Sequence, residues 1–156
     1  MKIQVGHQAP VFSLHASDKS EVSLAAQKGN NVLLLFFPVA FTSVCTKELC
    51  NVRDNIAAYN NANAKVFGIS VDSPFTLAKF KEEQQLNFPL LSDFNKEVST
   101  SYGCLYDTFI GWMKGVSKRA AFVIDKNGLA QYAEVLENAG DMPDFEAINS
   151  ALASLN

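Results

Sequence analysis

Val32-Leu-Leu-Leu-Phe-Phe37, running directly into Pro38-Val-Ala-Phe-Thr42-Ser-Val-Cys45, decides how the chain folds. The short continuous apolar run, bounded by Gly29-Asn30-Asn31 and by Pro38, reads as a central strand buried on both faces. Pro38 fixes the backbone just after that strand and withdraws an N–H that would otherwise hold water. Cys45, Leu49, Val52, Ile56 and Tyr59 then follow a 4-3-4-3 spacing, the apolar stripe of one helix beginning near Thr42 or Ser43. A buried strand that turns into an amphipathic helix is the unit from which α/β domains are built.

The same unit recurs outward from this point. Lys65 to Val71 and Ala120 to Asp125 read as further buried strands. The second of these meets Lys126-Asn127-Gly128 and then Leu129 to Val135, so an Asn-Gly turn closes an antiparallel hairpin. A helix is predicted from about Pro74, carrying Phe75, Ala78 and Phe80, with a shorter one over Lys96 to Tyr102. A last helix starts after Pro143 and presents Phe145, Ile148, Leu152 and Leu155 on one face. The pattern predicts a three-layer α/β fold, a central mixed β-sheet flanked by helices, and no linker or repeat divides residues 1–156 from a single domain. On such folds the chemistry sits where a strand ends and a helix begins.

Composition narrows the partners. The 156 residues carry 13 Lys plus Arg against 16 Asp plus Glu, and without a basic cluster this net charge of -3 offers little attraction to nucleic acid or to an anionic membrane. The longest apolar run, Val32 to Phe41, is interrupted by Pro38 and is too short to span a bilayer, and the first residues lack the apolar core of a secretion signal. Three cysteines are an odd number and too few for a disulfide scaffold, so a cytoplasmic location with reduced thiols is expected. Thiols there are core fillers, metal ligands or redox groups.

Cys45 stands out because it falls in the first turn of a helix, where free N–H groups and the helix dipole stabilise a thiolate. Thr42 is placed to cap that helix, or to turn its hydroxyl toward the sulfur or an incoming oxygen, while Pro38 shields the pocket. Against this stands the plain reading of Cys45 as a small residue on a buried stripe. A zinc site from Cys45, Cys50 and Cys104 with His7 or His15 has an unfavourable spacing, and the two histidines are assigned no role. No Cys-x-x-Cys pair is present, and no cysteine has the arginine six positions on that a cysteine phosphatase needs.

Pro38-x-x-x-Thr42-x-x-Cys45 at the end of a buried strand resembles the active-site motif of the peroxiredoxins, thiol peroxidases of thioredoxin-like fold with an N-terminal extension. The resemblance extends to Val5 to Leu14, which is similar to the family's lead-in segment, and to Phe88-Pro-Leu-Leu-Ser-Asp93, similar to its middle strand. Arg119-Ala-Ala-Phe-Val-Ile-Asp125 resembles the family's arginine-bearing strand. What this implies is that Cys45 is the peroxidatic thiol, that Thr42 and Arg119 hold the peroxide, and that Glu48 steadies Arg119. Read without the family, Arg119 beside Lys118 is a solvated surface cation and Glu48 a first-turn acid facing the helix dipole. The implied enzyme reduces hydrogen peroxide or organic hydroperoxides through a cysteine sulfenic acid and uses no metal or organic cofactor.

Cys50 lies five residues after Cys45. In an intact helix the two Cα atoms are roughly 8 to 9 Å apart, beyond the usual disulfide reach of about 7 Å, so pairing requires the helix start to unwind. The spacing nonetheless resembles the Q-type (bacterioferritin comigratory protein) peroxiredoxins, which implies that Cys50 resolves the sulfenic acid as a local disulfide. Phe36 to Thr42 and Ser92-Asp-Phe94 are more similar to the alkyl hydroperoxide reductase E group, in which Cys50 would be a passive thiol. The implied reductant is thioredoxin, glutaredoxin or a similar thiol donor; a peroxide-sensing relay that oxidises a partner protein is the alternative. Cys104 reads as core. Phe109-Ile-Gly-Trp112-Met113 reads first as core, with a homodimer contact or an apolar wall for organic hydroperoxides as the other readings.

Overall fold

In the computed structural model, which describes residues 2–155, the apolar run from Val32 forms an interior strand of a seven-stranded sheet, paired on both sides. The strands are β1 (Ser13–Ala16), β2 (Glu21–Ser23), β3 (Asn31–Phe36), β4 (Ala64–Ser70), β5 (Leu90–Ser92), β6 (Arg119–Ile124) and β7 (Ala130–Leu136), in the order β2-β1-β5-β4-β3-β6-β7. β3, β4 and β5 are parallel to one another and the remaining pairings are antiparallel, which makes the sheet mixed as expected. The helices are α1 (Ser43–Asp54), α2 (Ile56–Asn61), α3 (Pro74–Gln84), α4 (Glu97–Ser101) and α5 (Phe145–Ala153).

Successive residues of β3 point to opposite faces, so one uninterrupted apolar run feeds two cores. Leu33, Leu35 and Phe37 pack with Leu49 and Val52 of α1, Tyr59 of α2, Leu77 and Phe80 of α3, and Ile148 and Leu152 of α5. Val32, Leu34 and Phe36 pack on the other face with Val98 of α4, Tyr102, Cys104 and residues of the N-terminal segment. No helix among the described residues is long and apolar enough to cross a membrane.

Three sequence expectations change, and one hairpin is new. The single stripe from Cys45 to Tyr59 is carried by two helices broken at Asn55, whose φ of -116° and ψ of 19° leave the helical region. Its side-chain amide donates to the Asn51 carbonyl at 2.7 Å, a local bond that competes with helix continuation. On α3 the buried residues are Leu77 and Phe80, while Phe75 and Ala78 face outward. Ser73 sets that phase, accepting the Thr76 N–H at 3.2 Å as the helix cap. The Phe109 to Met113 stretch is not core, because Ile110 at φ 48° and Gly111 at φ 85° make a tight turn that carries Ile110 and Trp112 outward, 62% and 72% exposed. Finally, the β1–β2 hairpin had no clear sequence signal, its strands being four and three residues long with mixed polarity.

Candidate active site

The site grows from the pairing of β3 with β6. Phe36 at the end of β3 pairs with Ala120, so Arg119, the first residue of β6, lies beside the point where β3 gives way to Pro38. The two-residue period of β6 then decides which cation turns inward. Arg119 shares the face of Ala121 and Val123, toward α1, and is 1% exposed. Lys118 lies between solvent and interior, paired with Glu137 at 2.5 Å and over the Tyr106 ring.

α1 supplies the other half. Cys45, in its first turn, and Glu48, three residues on, share the buried side of the helix and are 1% and 0% exposed. The Arg119 guanidinium meets both: Nη1 donates to Glu48 Oε1 at 2.6 Å, and Nη1 and Nη2 donate to Cys45 Sγ at 3.5 and 3.4 Å. Nη2 also donates to the Ala139 carbonyl at 2.8 Å, in the turn that follows β7. Arg119 is therefore not a solvated surface cation, nor Glu48 merely a first-turn acid facing the helix dipole: both are buried and bonded to each other.

Ala139 had no sequence signature, because what it offers is a backbone carbonyl that any residue carries. The turn around it is held by Asn138 Oδ1, which accepts the Gly140 N–H at 2.8 Å.

A buried ion pair is sensitive to its surroundings. Burial pushes the Glu48 carboxyl up to about 7, and the attraction of Arg119 only partly offsets it. For Arg119, burial works against the charge, but Glu48 and Cys45 outweigh it and hold the guanidinium above its ordinary value. Among the described residues Glu48 Oε2 and Arg119 Nε have no hydrogen-bond partner, so the pair is not fully compensated for leaving water.

Thr42 occupies the N-cap position of α1, but its hydroxyl does not cap; it donates to the Val39 carbonyl at 2.8 Å. Its proton is thus committed and its lone pairs are open toward a donor. The preceding residue, Phe41, sits at φ 71°, a left-handed conformation that costs a non-glycine residue on the order of 1 kcal/mol, and its ring packs on Phe80 with centroids 5.1 Å apart. Pro38, Thr42, Ser43, Val44, Cys45, Phe109, Arg119, Ala139 and Gly140 line a pocket of about 220 Å³.

The other two cysteines are placed apart from this pocket. Cys50 is half-buried within the intact α1, with its thiol 3.5 Å from Gln84 Oε1 at the end of α3. Cys104 is fully buried in the core on the opposite face of the sheet from Cys45, and burial pushes its thiol far above the ordinary range.

A buried thiol at a helix start, gripped by an arginine from the neighbouring strand and open to a small pocket, is the equipment of a thiol-dependent enzyme. Residues 5–133 match the AhpC/TSA family. The chain is 35% identical over 156 residues to alkyl hydroperoxide reductase E of Mycobacterium tuberculosis, covering 98% of each chain. It is 37% identical over 131 residues to peroxiredoxin Bcp of Escherichia coli, covering 83% of this chain and 84% of that one. Its backbone is similar to the crystal structure of peroxidoxin BcpB from Mycobacterium tuberculosis, with a TM-score of 0.87, 28% identity and 99% of each chain covered. The chain therefore belongs to the AhpC/TSA family, the peroxiredoxins; its fold is thioredoxin-like and it is a peroxidase.

The raised Glu48 carboxyl has a consequence for stability. Folding favours its protonated form, so stability falls as pH rises from about 4.5, its ordinary value, to about 7, and levels off above that. Denaturant unfolding at intervals across pH 4–8 is expected to show that decline in the wild type, and a flatter profile in Glu48→Gln. The difference in slope is at most about 1.4 kcal/mol per pH unit for one proton; parallel profiles would contradict the assignment.

Proposed function

We propose that this chain is a thiol-dependent peroxidase in which Cys45 is the nucleophile, with hydrogen peroxide and small organic hydroperoxides as substrates. The observation that carries the reading is the Arg119 guanidinium at 3.4 and 3.5 Å from the Cys45 sulfur, held from its other side by Glu48 at 2.6 Å. A buried, oriented cation stabilises the thiolate before reaction and the negative charge that develops on the departing oxygen during it.

The Cys45 thiolate attacks the terminal oxygen of R–O–O–H. The S–O bond forms as the O–O bond breaks, the electron pair leaves with RO⁻, and a proton makes it ROH or water. Sulfur is oxidised to the sulfenic acid and the peroxide is reduced. Thr42 and Arg119 hold the peroxide: Thr42, its own proton bonded to Val39, accepts from the peroxide hydroxyl, while Arg119 donates to its oxygens. Pro38 walls the pocket without offering an N–H to water. With about 220 Å³ against the roughly 10 to 15 Å³ that one water needs, the pocket has room beyond hydrogen peroxide, and Phe109, Val44 and Pro38 offer an apolar wall to a short organic tail.

Cys50 acts next. Its thiol condenses with the Cys45 sulfenic acid, water leaves, and the local disulfide is returned to two thiols by thioredoxin, glutaredoxin or a comparable dithiol. The step requires the first turns of α1 to unwind, since Cys50 lies beside Gln84, around the helix from Cys45. We place the protein in the cytoplasm, where such donors keep thiols reduced. The outward-facing Ile110 and Trp112 serve as a contact for a second copy.

Three measurements check this reading. Stopped-flow oxidation by hydrogen peroxide is expected to disappear in Cys45→Ser and to persist in Cys50→Ser. Mass spectrometry of the oxidised wild type under non-reducing conditions should find the Cys45–Cys50 disulfide; sulfinic Cys45 with free Cys50 would reject the resolving role. Sedimentation at micromolar concentration should give a dimer that Trp112→Glu dissociates, and a wild-type monomer would contradict the contact.

A further inference from the structure

The turn from Pro38 to Thr42 sets where Thr42 and the start of α1 lie, yet its own conformation is unfavourable, with Phe41 at φ 71°. Such a residue persists where its surroundings over-determine it. Phe41 packs on Phe80, an apolar contact that does not fix the backbone's rotation. A directed tie comes from the end of the neighbouring parallel strand. Asp72, two residues beyond β4, accepts the Ala40 N–H through Oδ2 at 2.9 Å. The same oxygen accepts the Ser70 hydroxyl at 2.6 Å, and Ser70 Oγ accepts the Asp72 N–H at 3.2 Å. The Asp72 carbonyl accepts the Ser92 hydroxyl at 2.6 Å from β5. Asp72 is therefore braced by two strands and bonded to the turn, in a region where Ala40 and Ser70 are buried.

We propose that Asp72 is a positioning residue for the peroxide reaction: its carboxylate locks the Pro38–Thr42 turn in the form that places Thr42 beside the Cys45 pocket. The proposal rests on the reading of Cys45 as the peroxide-reactive thiol. Asp72 does not line that pocket and touches none of the reacting atoms, so it acts through Ala40. The chemistry suits the task, because a carboxylate accepting a backbone N–H makes a stronger bond than a neutral acceptor would. The lock is also reversible, since it is a single oxygen on a single N–H at the segment that must loosen before Cys50 can reach Cys45.

The test compares two reagents at one thiol. Hydrogen peroxide needs the ordered pocket, whereas iodoacetamide needs only an accessible Cys45, whose modification is followed by peptide mass spectrometry. In Asp72→Ala, oxidation of Cys45 by hydrogen peroxide is expected to slow about 10- to 100-fold, the range a hydrogen bond to a charged group spans. Alkylation of Cys45 should be unchanged or faster. Asp72→Asn, which keeps an acceptor oxygen, should recover most of the peroxide rate, and unfolding curves identify variants that have lost the fold. Should Asp72→Ala not fold, Ser70→Ala decides by the same two rates. Peroxide rates equal to wild type, or equal losses with both reagents in a folded variant, would overturn the proposal. A wild-type Cys45 that hydrogen peroxide leaves unoxidised would instead overturn the peroxidase reading beneath it.

Discussion

A guanidinium taken out of water needs acceptors around it, and Arg119 finds them at both of its Nη nitrogens, while Nε is left without one among the described residues. The Glu48 carboxylate, the Cys45 sulfur and the Ala139 carbonyl converge on two nitrogens of one fork. They come from three parts of the chain: two acceptors from one face of α1, one from the turn after β7, and the arginine itself from β6. Removing a partner would leave a buried charge uncompensated, a cost of several kcal/mol, so the fold and the reactive geometry hold each other in place. Lysine would not substitute simply, because its point charge lacks the planar fork that reaches three acceptors at once.

The sheet is what makes this convergence possible. β3 ends at the level where its antiparallel neighbour β6 begins, and the pleat sends Arg119 to the side where α1 starts. The same strand ends bring β4 alongside, so that Asp72 reaches the turn between β3 and α1. The thiol, its cation, the hydroxyl of Thr42 and the carboxylate that steadies the turn thus gather where parallel strands end, the position open α/β sheets reserve for ligands. Cys104 lies across the sheet in the second core, so no rearrangement short of breaking that sheet brings it to Cys45.

Much of this was legible from local chemistry. A continuous apolar run between Asn-rich and proline boundaries identified β3, and the residues that follow it placed Cys45 at a helix start. Arg119 was harder, since its neighbour Lys118 carries the same charge; its place at a strand entrance allowed it to reach the helix start, the family resemblance favoured it, and strand register, a long-range property, makes the choice. The Asn55 break needed a side-chain bond that competes with the helix, and the outward face of Ile110 and Trp112 needed a turn at positive φ. Ala139 contributes a carbonyl and Asp72 an interaction across 32 positions, neither of which periodicity can show.

In our proposal the oriented Arg119 fork, and not merely a buried positive charge, makes Cys45 reactive toward peroxide. Arg119→Lys keeps the charge and removes the fork. The second-order rate of Cys45 oxidation by hydrogen peroxide, measured by stopped flow in the folded variant, should fall at least about tenfold, the equivalent of 1.4 kcal/mol of lost transition-state stabilisation. A rate equal to that of the wild type would contradict this role of the fork.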